Sequence, residues 1–211
     1  LSAPRPQDTL FAYHLFKWLV VSPTLHIAFH LRIEGAERVP PKGPLLLVAN
    51  HASFFDPPIL ANCARRPVAF MAKEELFKVP LLSSVIRMYG AFPVKRGTGD
   101  RGALRAALSA LENDWAVGIF INGTRTDDGR IPTPQLGAAL IAQKAGVPLL
   151  PVAIAGSGKI LPRGSRLPRL ARLNVAFGDL LPPPTSGDRT ALQETTQTCT
   201  TAIHHLLDLL P

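Results

Sequence analysis

Leu45-Leu46-Leu47-Val48-Ala49-Asn50-His51-Ala52-Ser53-Phe54-Phe55-Asp56-Pro57-Pro58 changes character twice within fourteen residues. The first five are apolar and suit a buried strand, the middle is a loop carrying a histidine, and Asp56 before Pro57 reads as an N-cap followed by a first-turn proline. Strand, loop and helix in that order make a βα unit, and the alternation repeats along the chain. Further strands are expected at Val68–Ala72, Ala91–Val94, Ala116–Ile121, Leu149–Ala155 and Leu173–Phe177. Helical spacing falls between them: Leu104, Leu108 and Leu111 in Arg101–Asn113, and Leu136, Ala139, Leu140 and Gln143 in Pro134–Ala145. Thr133 before Pro134 reads as an N-cap and Gly146 as the left-handed residue that ends that helix. A last helix from about Arg189 to Leu210 places Leu192, Cys199, Ile203, Leu206 and Leu210 on one stripe, after the prolines Pro182–Pro184. The expected fold class is α/β, with a mixed, mostly parallel central sheet flanked by helices.

Composition narrows the function classes. A chain of 211 residues with 46% hydrophobic content can form one packed domain. Its formal charge of +8 and pI near 10.1 favour anionic partners. Nucleic acid is not expected, because aromatic residues are only 7% and the basic residues follow no reader motif. Cys63 and Cys199 cannot form a disulfide scaffold, and no Cys/His cluster has zinc spacing. The apolar, aromatic segment Leu10–Phe29 suits an amphipathic helix lying in a membrane interface. A spanning helix needs roughly 20 apolar residues, and Pro23, His26 and His30 interrupt this stretch. No basic region precedes the apolar run, so a signal peptide is a poor match, and Leu1 in place of Met leaves upstream residues open. Arg163, Arg166, Arg169 and Arg172, interleaved with leucines, fit either a solvated loop or an anionic-surface contact.

In an open α/β sheet, reactive groups gather beyond the carboxyl ends of strands, where His51 falls. A loop folding back across four residues brings the Asp56 carboxylate to the imidazole, fixing its tautomer and stabilising the imidazolium. The same two residues also fit a turn histidine and a plain helix cap. Two other strands end in cations: Gly90-Ala91-Phe92-Pro93-Val94-Lys95-Arg96 and Phe120-Ile121-Asn122-Gly123-Thr124-Arg125. Guanidinium groups at Arg96 and Arg125, with backbone freedom at Gly123 and the Thr124 hydroxyl, suit a phosphate. Gly156-Ser157-Gly158-Lys159 lacks the earlier glycine and the following Ser or Thr of a nucleotide-binding loop. Ser53 has no nucleophile elbow around it, and His26 and His30 lack the Glu of a metalloprotease helix.

Together, NHASFFD, GAFPVKR, FINGTR and VPLLPVAI resemble, in order, the four motif blocks of the 1-acylglycerol-3-phosphate acyltransferase family of glycerolipid acyltransferases. The resemblance spans roughly Glu34 to Asp179. It implies transfer of a fatty acyl group from acyl-CoA or acyl carrier protein to the sn-2 hydroxyl of lysophosphatidic acid. His51 is then the general base and Asp56 its orienting partner. Lys95, Arg96, Asn122, Gly123, Thr124 and Arg125 hold the acceptor phosphate, and the fourth block is a buried strand. No metal or redox cofactor is required. The implied organisation is a membrane-docking segment at 1–30, an acyltransferase domain at 31–184 and a packed C-terminal helix at 185–211. The implied location is the cytoplasmic face of an anionic membrane. Two adjacent positions depart from the pattern: Ile121-Asn122 stands where the family has Pro-Glu. A non-catalytic or impaired lysophospholipid binder on the same fold is therefore the alternative.

Overall fold

The computed structural model describes residues 15, 19, 21–79, 83, 86, 91–94, 101–162, 165, 167 and 169–211. Among them, seven strands form one sheet: β1 (Arg32–Glu34), β2 (Leu45–Ala49), β3 (Val68–Lys73), β4 (Phe92–Val94), β5 (Ala116–Phe120), β6 (Leu149–Ala155) and β7 (Asn174–Phe177). Four α-helices accompany them: α1 (Asp56–Cys63), α2 (Arg101–Glu112), α3 (Gly137–Ala145) and α4 (Arg189–Leu209). The strand order is β1-β7-β6-β2-β5-β3-β4, and every neighbouring pair is parallel except β6 with β7. The carboxyl ends of β2, β3, β4, β5 and β6 therefore share one edge.

Alternation along β2 explains why helices cover both faces. Leu45, Leu47 and Ala49 pack on one side with Ile59, Leu60 and Cys63 of α1 and with Leu25 and Leu31 of the N-terminal segment. Leu46 and Val48 pack on the other with Ala107 and Leu111 of α2, Ile141 of α3, and Cys199 and Ile203 of α4. All five β2 residues are buried, as a central parallel strand requires. Burial also pushes the Cys199 thiol up to about 12, so it is a small apolar core group.

The six expected strands are present with boundaries within a residue. β1 escaped the sequence reading, since Arg-Ile-Glu is three residues long with charged flanks and is recruited by pairing to β7. Three helix boundaries need correction or support. α3 starts at Gly137, not Pro134, because the Gln135 N–H donates to the Ile121 carbonyl at 2.8 Å and keeps residues 134–136 tied to the end of β5. Gly146 ends α3 at φ 65°, as expected. Asp56 is the first residue of α1 and not its N-cap, a position held by Phe55. The expected interfacial helix at 10–29 lies partly outside the described residues, which here are 15, 19 and 21–29; among these Thr24–Ala28 forms a π-helical turn with Leu25 buried and Ile27 exposed. No helix among the described residues is long and apolar enough to cross a membrane.

Candidate active site

Asp56 faces backward, into the loop that precedes its own helix. Its Oδ2 accepts from the Ala52 N–H, the Ser53 N–H and His51 Nδ1, each at 2.7 Å. Two of these donors are backbone amides, so the carboxylate closes the loop and holds the imidazole at once. The aspartate side chain is fully buried and that of His51 is 12% exposed. Because Nδ1 donates to Asp56, the neutral ring keeps its lone pair on Nε2. Phe120 stacks on the imidazole with centroids 4.1 Å apart and planes 18° from parallel, which removes a second degree of freedom. The expected His51–Asp56 contact is thus formed. Ser53 is buried and its Oγ accepts from the Phe55 N–H, a loop role.

Asn50, fully buried, ties this loop to the rest of the edge. Its Nδ2 donates to the carbonyls of Gly129 and Ile154, and its Oδ1 accepts from the Ile154 N–H at 2.8 Å. The strand β6 and the loop after β5 are thereby fastened to the strand that carries His51. Gly129 is needed here: it sits at φ 72°, and a Cβ would lie 3.0 Å from Asn50 Nδ2.

The loop after β5 carries the third motif block. Its Thr126 N–H donates to the His51 carbonyl at 2.9 Å, and the Thr126 hydroxyl donates to the Arg130 carbonyl at 2.7 Å. Asn122, 7% exposed, gives its Nδ2 to Thr126 Oγ1 and to the Arg130 carbonyl at 3.0 Å. Asn122 therefore braces the loop, while Gly123, at φ 71°, and Thr124 are exposed at its tip. The Arg125 guanidinium lies 3.5 Å above the Phe54 ring, so the third block meets the His51 loop through a cation–π contact. Lys95 and Arg96 lie outside the described residues. The fourth block forms β6, buried through Ile154, in agreement with a sheet strand.

Sequence reasoning missed Phe120, Thr126 and the bonding role of Asn50. Asn50 and Phe120 open the first and third motif blocks, but nothing in a linear pattern says that a ring stacks or that an amide bridges two strands. Thr126 lies 75 positions from the carbonyl it holds.

An open α/β sheet with a buried carboxylate–imidazole pair at its carboxyl edge defines a class of site suited to removing a proton. A family model described as Acyltransferase matches residues 30–155. The chain is 31% identical over 156 residues to a chloroplastic 1-acyl-sn-glycerol-3-phosphate acyltransferase of Arabidopsis thaliana, covering 72% of this chain and 44% of that protein. It is 29% identical over 210 residues to a lyso-ornithine lipid O-acyltransferase of Pseudomonas aeruginosa, covering 92% of this chain and 80% of the relative. The crystal structure of the 1-acyl-sn-glycerophosphate acyltransferase of Thermotoga maritima superimposes with a TM-score of 0.79 at 25% identity, covering 97% of this chain and 83% of that one. The protein belongs to the acyltransferase family, as its four blocks indicate. It spans about half the length of the plant and algal relatives it matches.

Proposed function

We propose that this protein transfers a fatty acyl group from a thioester, acyl-CoA or acyl carrier protein, to the hydroxyl of a lysolipid at an anionic membrane surface, with lysophosphatidic acid as the acceptor. The His51 Nδ1–Asp56 Oδ2 bond of 2.7 Å is the observation that carries this reading. His51 Nε2 takes the proton of the acceptor hydroxyl as its oxygen bonds to the thioester carbonyl carbon. Asp56 stabilises the imidazolium formed in that step. Collapse of the tetrahedral intermediate breaks the carbon–sulfur bond, and His51 returns the proton to the departing thiolate. No acyl-enzyme forms, and the chemistry calls on no metal or redox cofactor.

Arg125, set over Phe54 in the His51 loop, supports a second role, the placing of the acceptor phosphate. Lys95 and Arg96, with Gly123 and Thr124, belong to the same proposed anion site. Leu15, Leu19 and Ile27 in the N-terminal segment are exposed, as suits docking at a lipid surface. The domain limits proposed are 31–184 for the catalytic unit, with 1–30 docking it and the helix in 185–211 bracing it.

A second acceptor, a lyso-ornithine lipid, is favoured by one observation: the relative named for that substrate matches nearly the full chain. An ornithine headgroup carries a carboxylate that a guanidinium also holds. The deciding experiment offers both acceptors with acyl-CoA and identifies the product by mass spectrometry. Phosphatidic acid, formed only with lysophosphatidic acid and absent in His51→Ala, supports the first reading. Acylated ornithine lipid alone replaces it with the second. Binding of both lysolipids without thiol release leaves the non-catalytic binder.

A further inference from the structure

The loop after β5 is held from two sides. On the inner side Thr126 bonds the His51 carbonyl, and Asn122 and Thr126 converge on the Arg130 carbonyl. On the outer side the C-terminal turns of α4 reach Arg130 and its neighbour Ile131. The Ile131 N–H donates to His204 Nε2 at 3.1 Å, and the Arg130 guanidinium pairs with Asp208. Because a backbone N–H can only donate, His204 Nε2 must carry the lone pair, and the ring hydrogen is on Nδ1. Ile131 itself is 4% exposed and packs in the core shared with Cys199 and Ile203 of α4.

We propose that His204 is a positioning residue for acyl transfer: by accepting the Ile131 N–H it fixes the 122–131 loop, and through that loop the setting of Arg125 and of the backbone at His51. The ion pair between Arg130 and Asp208 contributes little, since both side chains are about half exposed and such pairs are weak in water. The hydrogen bond to His204 is the stronger hold, because its donor belongs to a buried residue that loses its acceptor when the ring is removed. The separation of 73 positions between its partners hides this contact from any local motif. The catalytic consequence rests on the proposed role of the loop in acceptor binding; the mechanical one does not.

The test compares His204→Ala with His204→Gln, whose side-chain carbonyl oxygen can replace Nε2 as acceptor. Amide hydrogen exchange in the protein without substrate reads the clamp directly, whatever the acceptor proves to be. In His204→Ala, exchange at Thr126 and through 122–131 speeds up about tenfold, while amides of β2 and β6 keep their wild-type rates. His204→Gln stays near wild type. In the transfer assay, His204→Ala raises the acceptor KM about tenfold and leaves the KM for acyl-CoA within twofold. Unchanged loop exchange in His204→Ala overturns the proposal. So does equal damage from Gln and Ala, or a loss of protection that appears equally in β2 and β6. A wild type inactive toward both lysolipids refutes the proposed function, and the exchange data still decide whether His204 holds the loop.

Discussion

Asn122 stands where the motif block that FINGTR resembles has Glu, and its surroundings are those of a donor. Its Nδ2 faces the Arg130 carbonyl and the Thr126 oxygen, while its Oδ1 is buried without a hydrogen-bond partner. A Glu carboxylate, one methylene farther out, can only accept, so against the Arg130 carbonyl it turns an N–H···O=C contact into two facing acceptors. Restoring the family residue with Asn122→Glu is therefore expected to loosen the loop, at a cost of about 1–3 kcal/mol. Thermal unfolding combined with a lysophosphatidic acid assay checks this: Asn122→Glu should melt lower and turn over more slowly than wild type, and Asn122→Ala should fall between them. A more active and equally stable Asn122→Glu contradicts the bracing role and makes Asn122 an impairment.

Two contacts away from the edge that carries His51 steady the sheet and its last helix. At the far end Arg66, 7% exposed, follows α1 and donates to the carbonyls of Pro40, Gly43 and Asp114 at 2.7–3.0 Å, joining the segments that enter β2 and β5. Burial lowers its pKa, and the nearby Asp114 partly offsets that. Arg66→Met keeps the apolar stem and strands three carbonyls, so it should cost about 2–3 kcal/mol and roughly 5–10 °C in Tm, read by calorimetry. An unchanged Tm would mean that water replaces the guanidinium without loss. α4 is N-capped by Asp188, whose Oδ1 accepts from the Ala191 N–H at 2.9 Å. The Ser186 hydroxyl first, and the helix amides next, hold the Asp188 carboxyl below its ordinary value of 3.8. A lowered folded-state pKa adds stability that is present above 3.8 and is lost as pH falls through the folded value. The first turn of α4 should fray on the acid side of that window in wild type but not in Asp188→Asn, as local hydrogen exchange between pH 5 and 2 can show.

At the scale of the whole molecule, the sheet was the legible part because buried parallel strands are written as continuous apolar runs, of which LLLVA and LLPVAIA are the clearest. β1 was not legible, since its three residues become a strand only by pairing with β7, more than a hundred positions away. The chemistry divided in the same way. His51 and Asp56 are close in sequence, so loop geometry alone could bring them together, and it does. Asp-Pro normally opens a helix with the Asp as its cap; at Asp56 the amides of Ala52 and Ser53 and the imidazole draw the carboxylate backward instead. Thr126, Asn50 and His204 act across 73 to 104 positions, a separation at which sequence periodicity carries no information.

The central claim is that His51, held by Asp56, removes the proton of a lysolipid hydroxyl during acyl transfer. Acceptor-dependent release of free thiol from acyl-CoA, measured for wild type, His51→Ala and Asp56→Asn at matched folding, tests it most directly. The account predicts thiol release that requires the lysolipid, falls at least about a hundredfold in His51→Ala and falls substantially in Asp56→Asn. Release that persists in His51→Ala, in a protein that remains folded, contradicts it.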